Sequence, residues 1–277
     1  MIEPNKVKVA IETIQKAESL ALKYQDYGFC LAFSGGKDSI VIYKLCEMAG
    51  VKFKPVMNLT TVDPPEMMRF IRKNYPQVEL VRPIKNFYQI IIDYQSLPTM
   101  TKRFCCKELK EQSGAGTVTI IGIRRAESNK RAKRNELEIS GRKYSNSLDQ
   151  FNIDNESQIL CIKGKDKILL SPIINWSNSD VWTFIRDHNM PYCELYDQGY
   201  QRVGCMFCPY CTPKSKIRDL NKYPLVAREI KKSISKLCDM GKYTEFNNDV
   251  DEIFNWWICN KSSKVYLAQK QQLKLNL

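Results

Sequence analysis

The chain has 277 residues, 43% of them hydrophobic and 26% charged, and a formal net charge of +13. That length buries a substantial core, and the composition is that of a soluble globular protein without repeats or low-complexity tracts. Apolar runs such as Ile90-Ile91-Ile92 are far too short to span a bilayer, and Met1 to Gln15 lacks the apolar core of a signal peptide, which implies a cytoplasmic protein.

Asn5 to Tyr24 carries apolar residues at helical spacing (Val9, Ile11, Ile14, Leu20, Ala21) and predicts a leading helix. Phe29 to Phe33 reads as a first strand, Ser34 to Ser39 as a turn, and Ile40 to Met48 as a helix. Phe53 to Met57 predicts a second strand, and Pro64-Pro65-Glu66 opens a helix that runs to Asn74. Val78 to Val81 is a third strand, Asn86 to Tyr94 a helix, and Thr117 to Ile121 a buried strand closed by Gly122. Ile168 to Pro172 is a further short strand. Asn178 to His188 is a helix capped by Ser177 or Asn178, with the single histidine at its C-terminal end. Strands alternating with helices predict an α/β fold, a Rossmann-like parallel sheet with helices on both faces. Ligands of such sheets bind beyond the carboxyl ends of the strands, which puts the Ser34–Ser39 turn, Gly122 and the segment after Pro172 on one rim. Beyond Pro213 the pattern turns helical and polar, with a Trp256-Trp257 pair to dock on the core. The expected division is 1–212, with a leading helix over 1–27, and a helical C-terminal extension over 213–277.

The turn Ser34-Gly35-Gly36-Lys37-Asp38-Ser39 has the makings of a phosphate cradle. Two glycines let the backbone turn sharply, so that several N–H groups point at one anion. The helix N-terminus adds its positive end, and Ser34, Lys37 and Ser39 add donors. The turn is too short for a Walker loop. It resembles the loop of the PP-loop superfamily, whose members bind ATP or adenylyl sulfate.

Eleven cysteines, an odd number, cannot all pair within one chain, and without a secretory signal metal or redox chemistry outranks disulfides. Cys205 and Cys208 form a C-x-x-C turn followed by Pro209, and Cys105-Cys106 is a second close pair that would complete four ligands to a metal centre. Adjacent cysteines diverge in ordinary backbone, so both can serve only through an unusual one. Iron–sulfur ligands, zinc ligands and ordinary buried cysteines are the three readings of this quartet. Cys211 is a spare ligand or a reactive thiol. Cys30, Cys46, Cys161, Cys193, Cys238 and Cys259 read as small buried hydrophobes.

Gly122-Ile-Arg124-Arg125-Ala-Glu127-Ser128-Asn-Lys130-Arg131 follows the buried strand, where arginine forks suit phosphate or sulfate. Its alternative is a solvated basic face. Arg142 and Lys143 extend the charge into Ser140–Gln158, a segment suited to close over a substrate. The surplus of cations implies a polyanionic partner, an anionic substrate, or a basic solvated surface.

Taken together, these motifs resemble the phosphoadenosine phosphosulfate (PAPS) reductase family of the PP-loop superfamily. The resemblance runs from about Phe29 to Pro209. It rests on Ser34–Ser39, Cys105-Cys106, Gly122 to Ser128, Ser171-Pro172-Ile173 with Trp176 and Asp180-Val181-Trp182, and Leu195-Tyr196-Asp197-Gln198-Gly199-Tyr200 leading to Gly204-Cys205. It implies an adenine nucleotide alpha hydrolase-like fold, with the nucleotide over Ser34, Gly35, Gly36, Lys37, Asp38 and Ser39. It implies Gly122, Arg124, Arg125 and Arg131 near the substrate's anionic end. In the branch that reduces adenylyl sulfate (APS), the quartet equivalent to Cys105, Cys106, Cys205 and Cys208 holds a [4Fe-4S] cluster.

Two departures qualify that resemblance. Reductases carry a catalytic thiol in a Glu-Cys-Gly-Ile-His-like motif near the C-terminus, whereas this sequence closes on Gln-Gln-Leu-Lys-Leu-Asn-Leu277. Thr60-Thr-Val-Asp63-Pro-Pro-Glu66 stands where reductases have an Asp-Thr-Gly-like stretch, and resembles family members linked to sulfur modification of nucleic acid, such as the ATP pyrophosphatases of DNA phosphorothioation. The expected activity is that of an ATP pyrophosphatase. It would adenylate an acceptor for sulfur transfer, with Lys37, Asp38, Arg124 and Arg125 as catalytic groups and Mg²⁺ oriented by Asp38 or Asp63. A nucleic acid and a cysteine desulfurase are the expected partners. The alternatives are APS or PAPS reduction to sulfite, and a nucleotide- and DNA-binding subunit without turnover.

Overall fold

The computed structural model describes residues 2–111, 113–140 and 166–275. The segment around Arg142 and Lys143, and Cys161, lie outside these residues. The chain divides into two compact units, one of Met1–Asn58, Pro65–Val81 and Gln112–Val203, the other of Leu59–Pro64, Arg82–Glu111 and Gly204–Leu277.

The first unit is built on six strands: β1 (Phe29–Ala32), β2 (Phe53–Asn58), β3 (Glu79–Val81), β4 (Val118–Ile120), β5 (Leu137–Ile139) and β6 (Ile168–Leu170). They lie in the order β3-β2-β1-β4-β6-β5, parallel throughout except for β5. The parallel sheet expected from the sequence carries one further edge strand, where Leu137, Glu138 and Ile139 run antiparallel to β6. Three residues are too few to show a period, and the pairing joins segments distant in sequence. The chain order reverses between β1 and β4, where Cys30 pairs with Thr119 and Leu31 with Ile120. Such a switch point opens a crevice at the carboxyl ends of the two strands.

Four helices belong to this sheet: α1 (Pro4–Tyr24), α2 (Lys37–Ala49), α3 (Pro65–Asn74) and, after the short α6 (Asn129–Ala132), α7 (Asn178–Asp187). Helix α1 buries a stripe of small residues, Ala10, Thr13, Ala17 and Ala21 with Ile14, and packs on α2. Lys6 Nζ, 2.9 Å from Asp180 Oδ2, ties α1 to the first turn of α7. Ser177 caps α7 and accepts from the Asp180 N–H at 3.0 Å, while His188 forms its C-cap.

The second unit is helical, with α4 (Phe87–Asp93), α5 (Phe104–Leu109), α8 (Pro213–Lys222), α9 (Pro224–Asp239), α10 (Val250–Ile258) and α11 (Ser263–Leu275). Helix α9 packs against α4, α8 and α10 around Phe87, Ile91, Phe104, Ile230, Phe254 and Trp257. Trp257 is buried and donates its indole N–H to Pro98 O at 2.7 Å, whereas Trp256 lies at the rim of the core. A boundary at 212/213 therefore differs from the compact units, because the helices after Pro213 bury their apolar faces with residues from Arg82 to Glu111. Helix α5, too short to announce itself by period, carries Cys105 and Cys106.

Candidate active site and cysteine centre

The cradle folds as its residue types dictate. Gly35 takes a left-handed φ of +69°, which strains any residue with a side chain, and a Cβ there would press on Ile71 Cδ1 at 2.8 Å. Gly36 is the N-cap of α2. Ser39 Oγ stitches the loop, donating to Gly36 O at 2.8 Å and accepting from the Ser34 N–H at 3.2 Å. Lys37 is buried, and its ammonium sits 3.1 Å from Asp38 Oδ2.

Gly122, at the end of β4, passes so close to α2 that a Cβ would lie 2.9 Å from Asp38 Cβ. That approach brings Arg124 to Asp38. The guanidinium, 3% exposed, donates from Nε to Asp38 Oδ1 at 2.7 Å. Arg125 turns elsewhere, donating to Asn175 Oδ1 at 2.6 Å and to Arg134 O at 3.1 Å. Arg131 pairs with Glu127. Of the three arginines expected at one anion, one reaches the loop by its own ion pair. Asp63 belongs to the other unit, where it closes a turn by accepting the Thr60 N–H and Oγ1–H, both at 2.7 Å. The two carboxylates expected to orient Mg²⁺ are thus engaged: Asp38 by Arg124 and Lys37, Asp63 by Thr60.

The two cysteine pairs, about 100 residues apart in the sequence, both fall in the second unit. Cys105 and Cys106 lie in consecutive positions of α5, and their thiols hydrogen-bond each other. The bond from Cys105 draws Cys106 well below the ordinary thiol range, with Arg103 assisting, and leaves the proton on Cys105. Cys205 and Cys208 both act electrostatically on Cys105. Burial pushes the Cys205 thiol up, and Lys110 opposes it. Among the described residues no three His, Cys, Asp or Glu side chains converge on one point as a single ion requires. An iron–sulfur cluster with four thiolates is anionic, and the cations beside this quartet (Arg103 at Cys106, Lys110 at Cys205) fit that charge. Cys30, Cys46 and Cys193 are buried, as small hydrophobes should be, while Cys238 and Cys259 are half-buried.

Two residues, Lys110 and Lys216, escape a reading by motif, and a third, Tyr196, gains a partner that its motif did not name. Tyr196 Oη accepts the Lys37 N–H at 2.8 Å, so a phenol occupies the first amide of α2. Its ring stands edge-on to Trp182, with centroids 5.0 Å apart. The Leu-Tyr-Asp-Gln-Gly-Tyr motif contained Tyr196 but gave no sign of its partner. Lys110 is held protonated first by Cys205 and then by Asp63 and Cys208. Lys216 is wholly buried and donates to Asn260 Oδ1 and, at 3.3 Å, to Trp257 O. Burial pushes its pKa down to about 8, against the pull of Cys208, Cys211 and Cys259. A lone lysine in a polar helix carries no signal of burial.

The sequence model of the phosphoadenosine phosphosulfate reductase domain matches residues 28–211. An uncharacterized protein of Methanocaldococcus jannaschii is 30% identical over 265 residues, 90% of this chain and 57% of that protein, so the chain spans little more than half of that relative. A probable FAD synthase of Schizosaccharomyces pombe is 27% identical over 202 residues, 69% of this chain and 67% of the synthase. An adenosine 5'-phosphosulfate reductase of Lysinibacillus sphaericus is 28% identical over 208 residues, 69% of this chain and 78% of the reductase. Among solved structures, the U34-tRNA thiolase NcsA from Methanococcus maripaludis with its [4Fe-4S] cluster aligns with 88% of this chain and 81% of its own. Its TM-score is 0.46 and its identity 12%, a likeness too low to bear on function. No helix among the described residues is long and apolar enough to cross a membrane.

Proposed function

The chain belongs to the phosphoadenosine phosphosulfate reductase domain family, and from that premise we propose that it is an ATP pyrophosphatase that activates a nucleic acid for sulfur transfer. The observation that carries this reading is the joining of the Thr60–Pro64 segment to the cysteine quartet. Val62 O accepts the Met206 N–H at 2.8 Å, Thr60 hydrogen-bonds the Cys205 thiol, and Lys110 lies in the field of both Asp63 and Cys205. The stretch that resembles nucleic-acid sulfur-modifying relatives is therefore part of the cysteine centre.

In this reading the ATP phosphates lie over the Ser34–Ser39 loop. An oxygen of the acceptor attacks the α-phosphorus, the bond to the bridging oxygen breaks, and pyrophosphate leaves. Lys37 and Arg124 offset the charge that develops on the phosphates. Asp38, between them, holds both cations in place. The terminal sulfur of a persulfide donor, of the kind a cysteine desulfurase supplies, then displaces AMP, and the acceptor's oxygen departs with the AMP. An external thiol reductant cleaves the remaining S–S bond, leaving the sulfur on the acceptor and the donor as a mixed disulfide with that thiol. Cys105, Cys106, Cys205 and Cys208 would hold a [4Fe-4S] cluster, which when bound supplies iron–sulfur chemistry for carrying sulfur or electrons. Arg103 and Lys110 offset its charge. Pyrophosphate release from ATP by the reconstituted protein, stimulated by nucleic acid, is the expected result. The absence of release with both DNA and RNA present overturns the proposal.

A second reading is favoured by the adenosine 5'-phosphosulfate reductases among the relatives, 26–28% identical to this chain. Formation of sulfite and AMP from adenylyl sulfate and reduced thioredoxin would establish it in place of the first.

A further inference from the structure

The face of the second unit that carries Cys105 and Cys106 bears two exposed tyrosines with an arginine between them in the contact pattern. Tyr94 lies flat on Phe104, ring centroids 4.4 Å apart and planes 7° from parallel, yet Tyr94 is 43% exposed. Phe104 is buried, so it backs one face of the Tyr94 ring. The Tyr94 hydroxyl donates to Glu108 Oε1 at 2.7 Å, which anchors the far end of the ring while the stack on Phe104 sets its plane. Tyr210 is 42% exposed, donates to Met100 O at 3.0 Å, and carries the Arg103 guanidinium 4.8 Å over its ring. Tyr94, Phe104 and Arg103 line one open pocket together with Lys107 and Glu111.

We propose that this face is a stacking platform for single-stranded nucleic acid. The proposal deepens the reading above and rests on its nucleic-acid acceptor. A fixed aromatic ring with an exposed surface stacks on any base and loses little entropy in doing so. A guanidinium already layered on an aromatic ring offers a second flat surface and a fork for phosphate. Duplexes present base edges in their grooves and hide the base faces, so rings of this kind discriminate in favour of unpaired strands. Glu108 adds negative charge at the Tyr94 hydroxyl, which leaves the phosphates to the Arg103 side, where Lys102 is also exposed; Glu111 lies in the field of Arg103 itself. The order expected is base on Tyr94 and backbone along Arg103 and Lys102.

The test uses the full chain with its cluster reconstituted, and fluorescence anisotropy with labelled oligothymidylate, oligouridylate and the matching duplex. Single strands should bind more tightly than the duplex. Tyr94→Leu should weaken single-strand binding about 5- to 150-fold, and Tyr94→Phe should retain it. Wild-type binding by Tyr94→Leu, an equal loss in Tyr94→Phe, or a preference for duplex overturns the platform. Should Tyr94→Leu fail to fold, photocrosslinking of the unaltered chain to an iodouridine-bearing strand decides. Adducts on Tyr94 or Tyr210 support the platform and adducts confined elsewhere overturn it. Failure to bind any nucleic acid overturns the acceptor assignment as well, whereas intact binding indifferent to Tyr94 overturns the platform alone.

Discussion

Arg124 donates from Nε to Oδ1 of Asp38 at 2.7 Å, and that single ion pair fastens the segment after β4 to the first turn of α2. Arg124 is 3% exposed, so removing it leaves a carboxylate without its principal partner. Arg124→Ala should destabilise the protein by about 3–5 kcal/mol, as for other broken buried pairs, and lower pyrophosphate release. Arg125→Ala should shift stability by no more than about 0.5 kcal/mol and reduce the rate less, because its side chain is exposed. Urea unfolding and a pyrophosphate assay on both variants check the contrast.

Gly122→Ala tests the close approach that makes this pair possible. The added methyl would lie 2.9 Å from Asp38 Cβ, and backbone must shift to admit it. A loss of about 1–3 kcal/mol is expected in the same unfolding assay.

Tyr196 and a phosphate would compete for one donor, the Lys37 N–H. Tyr196→Phe leaves that amide without its acceptor, at a cost of about 1–3 kcal/mol in the free protein. If ATP occupies the cradle, its phosphate can take up the amide. The thermal stabilisation produced by saturating ATP should then be larger in Tyr196→Phe than in the unaltered chain.

Lys216 gives a pH signature. Its folded pKa lies at about 8, below the ordinary 10.5, with burial as the main cause. Between those values the unfolded chain holds a proton that the folded chain has released, so stability rises with pH across this window. Below pH 8 both states are protonated and the penalty of burying the ammonium is constant. Urea midpoints of the metal-free, reduced chain should rise from pH 8 to 10.5 more steeply than those of Lys216→Met.

The cysteine quartet predicts a pattern of loss. Serine at Cys105, Cys205 or Cys208 should abolish the visible absorption of an anaerobically reconstituted cluster and its content of about four irons per chain. Cys46→Ala should keep both, since Cys46 is wholly buried in α2. Iron analysis and absorption spectra of each variant are the measurements.

Much of this molecule is written locally. The α1 helix, five of the six strands and the cradle follow from period, glycine and serine placement and capping, because each depends on residues a few positions apart. The predicted Asn178–His188 helix emerged at Asn178–Asp187 with Ser177 as its cap. By contrast, α5 and β5 are six and three residues long, below the length at which any period shows. Their structure comes from partners elsewhere in the chain.

The candidate site divides in the same way. Residue types alone picked out the tight turn over Ser34–Ser39 and the cysteines as a set, since tight turns and thiol pairs have short-range chemistry. Sequence could not rank Arg124 above Arg125, because adjacent residues share their composition and differ only in where the backbone aims them. Nor could it find the partners of Lys110, Tyr196 and Lys216. Each of those partners lies elsewhere in the chain, up to 159 positions away, and only the tertiary structure brings it near.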